Sequence, residues 1–124
     1  AYGGGVAEIL QTLVPLMLDH VAKGRLSLER LVDLTSAGPA RIFGLAGRGR
    51  IALGYRADFT IVDLNAKRMI THRWIVSRCG WTPFDGLTVQ GWPITTLIGG
   101  RIVMHEGQLM GPPAGEAIRF IGVG

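Results

Sequence analysis

The feature of this chain that most constrains its fold is a change in hydrophobic spacing near Gly47. From residue 6 to residue 21, apolar side chains recur every three or four positions, which is typical of an amphipathic helix. After Gly47, short apolar runs such as residues 59–64 are separated by turn-forming residues, which is typical of strands. Helices followed by strands predict an α+β fold, or pieces of two domains.

Three helices are predicted before that change. Pro15 interrupts the first, so we expect either a kink or the start of a shorter helix at that point. Ser27 is a suitable cap for the second helix, and a third, short helix is expected within residues 36–44. The side chains of the second helix that we expect to face inward are Leu28, Leu31 and Val32.

Strands and turns are predicted in the second half of the chain. Residues 59–64 are expected to form a strand, to turn at residues 65–67 and to pair with residues 68–71. Residues 78–91 are interpreted as an irregular loop. The clearest signal is Gly99-Gly100 between two apolar runs, which predicts a two-residue hairpin.

Composition excludes several classes of protein. With 124 residues, 48% of them apolar and 18% charged, the chain is long enough for a core and too apolar for a disordered segment. The longest apolar stretch is interrupted by polar residues, which excludes a membrane span, and we recognise no signal peptide. The net charge is +4, but the basic residues are scattered and only 7% of residues are aromatic, which argues against nucleic-acid binding.

The histidines and acidic residues are not arranged as a metal or acid–base site. The three histidines, which lie on separate predicted elements, are His20, His72 and His105. A zinc site needs three or four converging ligands, so we expect polar surface roles for these histidines and a solvated face for Asp19-His20. Asp58 and Asp63 are five residues apart on an extended segment and are therefore expected on opposite faces.

Cys79 and the nearby aromatic residues are interpreted as packing residues. A single cysteine forms no internal disulfide, which favours a reducing cytoplasm, and the sequence places no base beside it. We therefore expect a buried thiol. The aromatic side chains Trp81, Phe84 and Trp92 are expected to anchor a long loop, since each buries a large apolar area. The glycine- and arginine-rich residues 44–54 lack the lysine of a phosphate-binding loop and are interpreted as turns.

A family resemblance rests on several segments. Residues 79–86 read Cys-Gly-Trp-Thr-Pro-Phe-Asp-Gly, and a Gly-Trp-Pro segment at 91–93, expected at a hairpin, follows them. Residues 39–45 read Pro-Ala-Arg-Ile-Phe-Gly-Leu, and residues 49–64 carry Gly-Tyr-Arg-Ala-Asp-Phe-Thr-Ile-Val-Asp-Leu at their end. Together these segments resemble the C-terminal portion of the dihydroorotases, which are zinc-dependent cyclic-amide hydrolases of the amidohydrolase superfamily.

The resemblance implies a division of the chain. Residues 1–46 resemble the helices at the end of a (β/α)8 barrel, and residues 47–124 resemble the C-terminal part of the small composite β-sandwich domain. The family is cytoplasmic, so the resemblance also implies a cytoplasmic location. Hydantoinases and allantoinases carry related loops, and a relative of that type remains an alternative.

The family's chemistry is reversible hydrolysis of dihydroorotate to N-carbamoyl-aspartate, at a zinc pair that shares a hydroxide and with an aspartate that moves the proton. This sequence contains no His-x-His motif, so no catalytic or metal-binding residue is assigned. Zinc is expected in the full-length parent and not on this chain. The resemblance implies a substrate-binding role only for the backbone of Tyr2-Gly3.

The partners follow from the same resemblance. The chain is expected to lack the N-terminal barrel of its parent and to compensate by self-association, through strand pairing or through exchange of its first helix. A second hypothesis is a catalytically inactive module that scaffolds a partner such as aspartate transcarbamoylase. A third is a small basic binding domain. We expect neither a nucleic acid nor a membrane as a partner.

Overall fold

The computed structural model describes residues 10–122, and its first part is helical. The α-helices are α1 (Leu13–Ala22), α2 (Leu28–Val32) and α3 (Gly38–Phe43), and a π-helical turn at Asp33–Ala37 joins the last two. The predicted helices are therefore confirmed within this range. The part of the first pattern before residue 10 lies outside the described residues.

Helix α1 begins at Leu13, two residues before Pro15. Pro15 lies in the first turn of α1, where a missing N–H costs no intrahelical hydrogen bond. Of the two expected outcomes, the start of a shorter helix is the one found.

Helix α2 has the predicted cap but a narrower inward face. The Ser27 hydroxyl accepts a hydrogen bond from the Arg30 backbone N–H at 3.1 Å. Leu31 is buried and Leu28 is half-buried, whereas Val32 is exposed, so the prediction was wrong for Val32. Val32 is the last residue of α2, directly before the π-helical turn, and the helical spacing alone does not explain its exposure.

The strands form one sheet in the order β1-β2-β3-β4. Their bounds are Phe59–Met69 for β1, Thr88–Ile98 for β2, Arg101–His105 for β3 and Gln108–Leu109 for β4. Strands β2 and β3 are antiparallel, with Ile98 opposite Arg101, and the intervening Gly99 and Gly100 have φ of 58° and 77°. Positive φ at both central residues is the conformation that a two-residue hairpin requires, so the predicted hairpin is confirmed.

The predicted turn at residues 65–67 was wrong, because β1 runs without a break through this point. The Asp63 carboxylate accepts hydrogen bonds from the backbone N–H groups of Asn65 at 2.9 Å and Ala66 at 3.2 Å. These bonds are those of an Asx turn, which is why the local sequence resembles one. The strand nevertheless continues to Met69, and the turn-like local sequence is the reason that a shorter strand was predicted.

The predicted hairpin at residues 91–93 was also wrong. These residues lie within β2, and residues 88–91, which we expected in the loop, form the start of the same strand. Gly91 has a φ of 101°, and a Cβ on it would lie 2.5 Å from the Leu18 Cβ. The glycine therefore permits close packing of a strand on a helix, which is a second common use of glycine in a strand.

The chain divides into two compact units. The first comprises Ala1–Arg25 and Val62–Pro93, and the second comprises Leu26–Ile61 and Ile94–Gly124. The buried large apolar side chains of the described residues are Leu18, Ile70, Ile75, Val89 and Trp92 in the first unit and Leu31 in the second. The predicted division at residues 46 and 47 concerns the domains of a longer parent and stays a prediction. No helix in the described range is both long and apolar enough to cross a membrane.

Candidate functional site

The predicted substrate-binding pair, Tyr2 and Gly3, lies outside the described residues and stays a prediction. The histidines make separate polar contacts. His20 Nδ1 lies 3.3 Å from an Arg25 guanidinium nitrogen, and His105 Nδ1 lies 2.9 Å from the Thr95 hydroxyl. Within residues 10–122, no group of three or more His, Cys, Asp or Glu side chains is arranged to hold a metal ion.

The third histidine fastens the loop that carries the family motif. The His72 ring atom Nδ1 accepts a hydrogen bond from the backbone N–H of Thr82 at 3.1 Å. The backbone N–H of His72 donates a hydrogen bond to Asp85 Oδ1 at 2.8 Å. The Ile70 N–H donates to Leu87 O at 2.8 Å, and the Gly86 N–H donates to Ile70 O at 2.8 Å. The middle and the C-terminal end of the 79–86 loop are therefore tied to residues 70–72.

The aromatic side chains only partly follow the prediction. Trp92 is 9% exposed, and its ring centroid lies 4.6 Å from that of Trp74, with the planes inclined by 47°. Trp81 is 42% exposed, so it does not anchor the loop as expected, and Cys79 is half-buried instead of buried. Trp74 was missed because it lies outside the motif, in a short 3-10 helix (His72–Trp74).

Asp19 is a buried carboxylate, so the predicted solvated face was wrong for this residue. The Lys23 ammonium lies 2.6 Å from Asp19 Oδ2, and the backbone N–H of Gln90 donates to Oδ1 at 3.0 Å. The Lys23 hydrogen bond, followed by that from Gln90, lowers the pKa of Asp19 below its ordinary value, although burial opposes the shift. The four-residue spacing of Asp19 and Lys23 could have predicted the ion pair. No feature of the sequence predicted the second contact of Asp19, which is with Gln90 in β2.

A second polar centre lies in the other unit, beside an open concavity of about 390 Å³. Arg48 Nη1 lies 2.7 Å from Asp58 Oδ2, and Arg56 Nη1 lies 2.8 Å from Glu116 Oε2. Asp58 Oδ1 also accepts a hydrogen bond from the Gly99 N–H at 2.8 Å. The guanidinium groups of Arg48 and Arg56 are thereby held at the wall of the concavity, an arrangement that suits a small anion.

Sequence reasoning had assigned this region to turns and had missed the polar centre. The alternation of glycine and arginine in residues 44–56 was visible. The partner carboxylate Glu116 lies 60 positions from Arg56, so no local pattern linked the two.

The motif loop and the α+β order define a class of protein, the amidohydrolases. The model of the amidohydrolase family matches residues 2–103, so this chain belongs to that family. Among curated relatives, the dihydroorotase of Pyrococcus furiosus is 41% identical over 109 residues, which is 88% of this chain and 26% of the relative. The dihydroorotase of Methanothermobacter thermautotrophicus is 41% identical over 101 residues, 82% of this chain and 23% of the relative.

A solved structure gives the same result for the fold. The L-hydantoinase (dihydropyrimidinase) from Arthrobacter aurescens matches with a TM-score of 0.75 and 37% identity, over 78% of this chain and 22% of that protein. The mixed helical and antiparallel architecture is thus that of a segment of an amidohydrolase. This chain spans about a quarter of the length of the curated relatives that it matches.

Proposed function

We propose that this chain is the C-terminal portion of a dihydroorotase-like cyclic amidohydrolase whose intact form hydrolyses dihydroorotate to N-carbamoyl-aspartate. The observation that carries this proposal is the extent of the match to dihydroorotases. The match to the dihydroorotase of Pyrococcus furiosus covers 109 of 124 residues. It therefore includes the motif loop at residues 79–86, whether the unmatched residues lie at the N-terminal or the C-terminal end. The hydantoinase neighbour supports cyclic-amide chemistry in general and keeps a hydantoinase or allantoinase as the alternative.

In this proposal the chain has a structural role. Residues 1–46 complete a (β/α)8 barrel, and residues 47–124 complete the small β domain of the same cytoplasmic enzyme. Zinc in the parent would supply the activated water. The described residues do not fit a zinc site, because they contain no cluster of suitable ligands, and we assign no step of the reaction to a metal on this chain.

Exposed apolar side chains support a missing partner for both units. Large apolar side chains that are exposed include Leu13, Met69 and Val76 in the first unit and Ile42, Phe43, Ile51 and Leu53 in the second. Surfaces of this kind are typical of contacts with other protein. The parent's barrel is the partner that we propose, with a second copy of this chain as its substitute when the barrel is absent. An inactive module that scaffolds aspartate transcarbamoylase would use the same surfaces and is the second candidate.

The proposal is tested by the coding sequence upstream of Ala1 and by the activity of its intact product. We expect an open frame that encodes a barrel with zinc ligands, and faster hydrolysis of dihydroorotate than of hydantoin or allantoin. The opposite substrate order would support the hydantoinase or allantoinase alternative. A start codon directly before Ala1 would support the inactive module.

For the 124-residue chain alone, we expect no bound zinc and no hydrolysis of dihydroorotate, because the parent's ligands and proton-transfer group are supplied by other residues. Elemental analysis after dialysis and an absorbance assay check the two expectations. Stoichiometric zinc or measurable turnover by the purified chain would contradict its assignment as a structural portion.

A further inference from the structure

We propose that the concavity lined by Arg48, Arg56 and Arg119 is a binding site for a small organic carboxylate. We further propose that the Glu116 side chain occupies this site as an internal competitor. The site lies within the second unit and does not depend on the hydrolase parentage. Three features support it: the charges around the concavity, the way in which Glu116 is held, and the single-oxygen contact between Glu116 and Arg56.

The charges around the concavity favour an anion. Arg48, Arg56 and Arg119 line it, and Glu116 is the carboxylate that lines it with them. Asp58 is already engaged, since it binds Arg48 at 2.7 Å and accepts from the Gly99 N–H at 2.8 Å. If the Glu116 side chain moves away, the charged residues that still line the concavity are three arginines, and the nearby Asp58 is bound to Arg48. A ligand carboxylate would then enter a region of positive potential.

Glu116 is held in a way that permits exchange. Its carboxylate contacts Arg56 Nη1 at 2.8 Å, yet its side chain is 70% exposed. The backbone nearby is fixed by other bonds: the Ala46 N–H donates to Arg119 O at 2.8 Å, and the Ile121 N–H donates to Gly44 O at 2.6 Å. The side chain can therefore swing out while the segment stays in place. Exposed ion pairs are worth little free energy, so displacement costs little.

Arg56 has donor capacity that Glu116 does not use. Its Nε atom is buried and makes no hydrogen bond within the described part of the chain, although Asp58 Oδ1 lies 3.4 Å away. Glu116 contacts Arg56 through one oxygen. A guanidinium binds a carboxylate best through two parallel N–H···O bonds. Because the buried Nε lies beside Asp58, a free carboxylate would make its two bonds at the Nη1 end of the guanidinium, where Glu116 now makes one contact.

The arginine is also positioned by its surroundings. A Cβ at Gly99 would lie 2.9 Å from Arg56 Nη2, so the glycine lets the hairpin pack against the guanidinium. The Arg56 backbone N–H donates to Gly47 O at 2.8 Å, which fixes the two ends of the Gly47–Arg56 turn. The side chains of Arg48 and Arg56 are only 20% and 23% exposed. Partial burial and fixed geometry distinguish these arginines from mobile surface cations.

The test is a titration of the isotope-labelled 124-residue chain with malonate, followed by NMR at constant ionic strength. We expect saturable shifts of the Arg48 and Arg56 Nε–H signals and of the Gly47 and Tyr55 amides. Because Glu116→Gln removes the internal competitor, we expect it to lower the dissociation constant of malonate about two- to fivefold. Glu106→Gln removes the same charge from an exposed turn and is the matched control, with no expected change beyond general electrostatics.

Two further arms separate the alternatives. We expect Arg56→Gln to abolish the saturable chemical-shift changes caused by malonate. Arg78→Gln is its control, because Arg78 is an exposed arginine in the other unit. If Arg56→Gln fails to fold, the gain in Glu116→Gln still decides the matter. Inorganic phosphate that binds as tightly as malonate would overturn the preference for carboxylates. Equal effects of Glu116→Gln and Glu106→Gln, or unsaturable shifts spread over many arginines, would overturn the site itself.

Discussion

At the residue scale, the most informative side chain is Asp19. It is 7% exposed and binds both the Lys23 ammonium of its own helix and the backbone N–H of Gln90 in β2. A buried carboxylate with charged and neutral donors stabilises the fold only while it is ionised. Its contribution should therefore depend on pH in a defined direction.

The folded state lowers the pKa of Asp19 below the ordinary 3.8, so its stabilisation is complete above that value and is lost as pH falls through the lower folded pKa. We expect Asp19→Asn to destabilise the chain by about 1–2 kcal/mol at pH 7, with the difference shrinking below about pH 4. Thermal melts from pH 7 to pH 2 measure this, with Glu106→Gln as the control for loss of one exposed charge. A difference that stays constant over this range would contradict the ionised role.

At the element scale, the contact between α1 and β2 depends on a residue without a side chain. Gly91 has a φ of 101°, and a Cβ on it would lie 2.5 Å from the Leu18 Cβ. Leu18 is itself buried, so it has no free space into which to retreat. Packing at this point therefore excludes every side chain larger than hydrogen.

We expect Gly91→Ala to destabilise the chain by about 2 kcal/mol or more, because backbone strain and overpacking add. Gly80→Ala is the matched control, since Gly80 also has a positive φ of 64° but a Cβ there meets nothing within 4 Å. The control should show only the backbone cost, about 1 kcal/mol. Urea unfolding of both variants measures the difference, and equal losses would refute the close contact.

At the scale of the whole molecule, the main feature is the number of apolar side chains that are exposed to solvent. Strand β1 is the terminal strand of the sheet order, and its side chains Ile61, Leu64 and Met69 are exposed. A long edge strand with apolar side chains is a template for pairing with another chain. In the absence of the barrel that we propose, a second copy is the available partner.

We expect the isolated chain to self-associate at micromolar concentration and Ile61→Lys to weaken that association at least several-fold, because a charge on an edge strand opposes pairing. Sedimentation equilibrium or light scattering measures it. Ala22→Lys adds the same charge at an exposed position that lies outside the strands and outside the large exposed apolar residues, and it is the control. Monomeric behaviour of the unmodified chain, or equal weakening by both lysines, would rule out pairing through β1.

The sequence by itself was sufficient for features that depend on local physics. The Ser27 cap and the Gly99-Gly100 hairpin each follow from the conformations that one residue type permits. The motif at residues 79–86 was likewise sufficient to indicate the family, which the family match confirms.

Only the tertiary structure decided which polar groups are buried and which turns are real. Asp19 is buried because β2, more than 60 positions away, brings the Gln90 N–H to it. Arg56 meets Glu116 over a similar separation, and the Asx turn at Asp63 lies within a strand because pairing extends past it. These outcomes depend on contacts between distant segments, whose free energies outweigh local preference and leave no periodic signal in the chain.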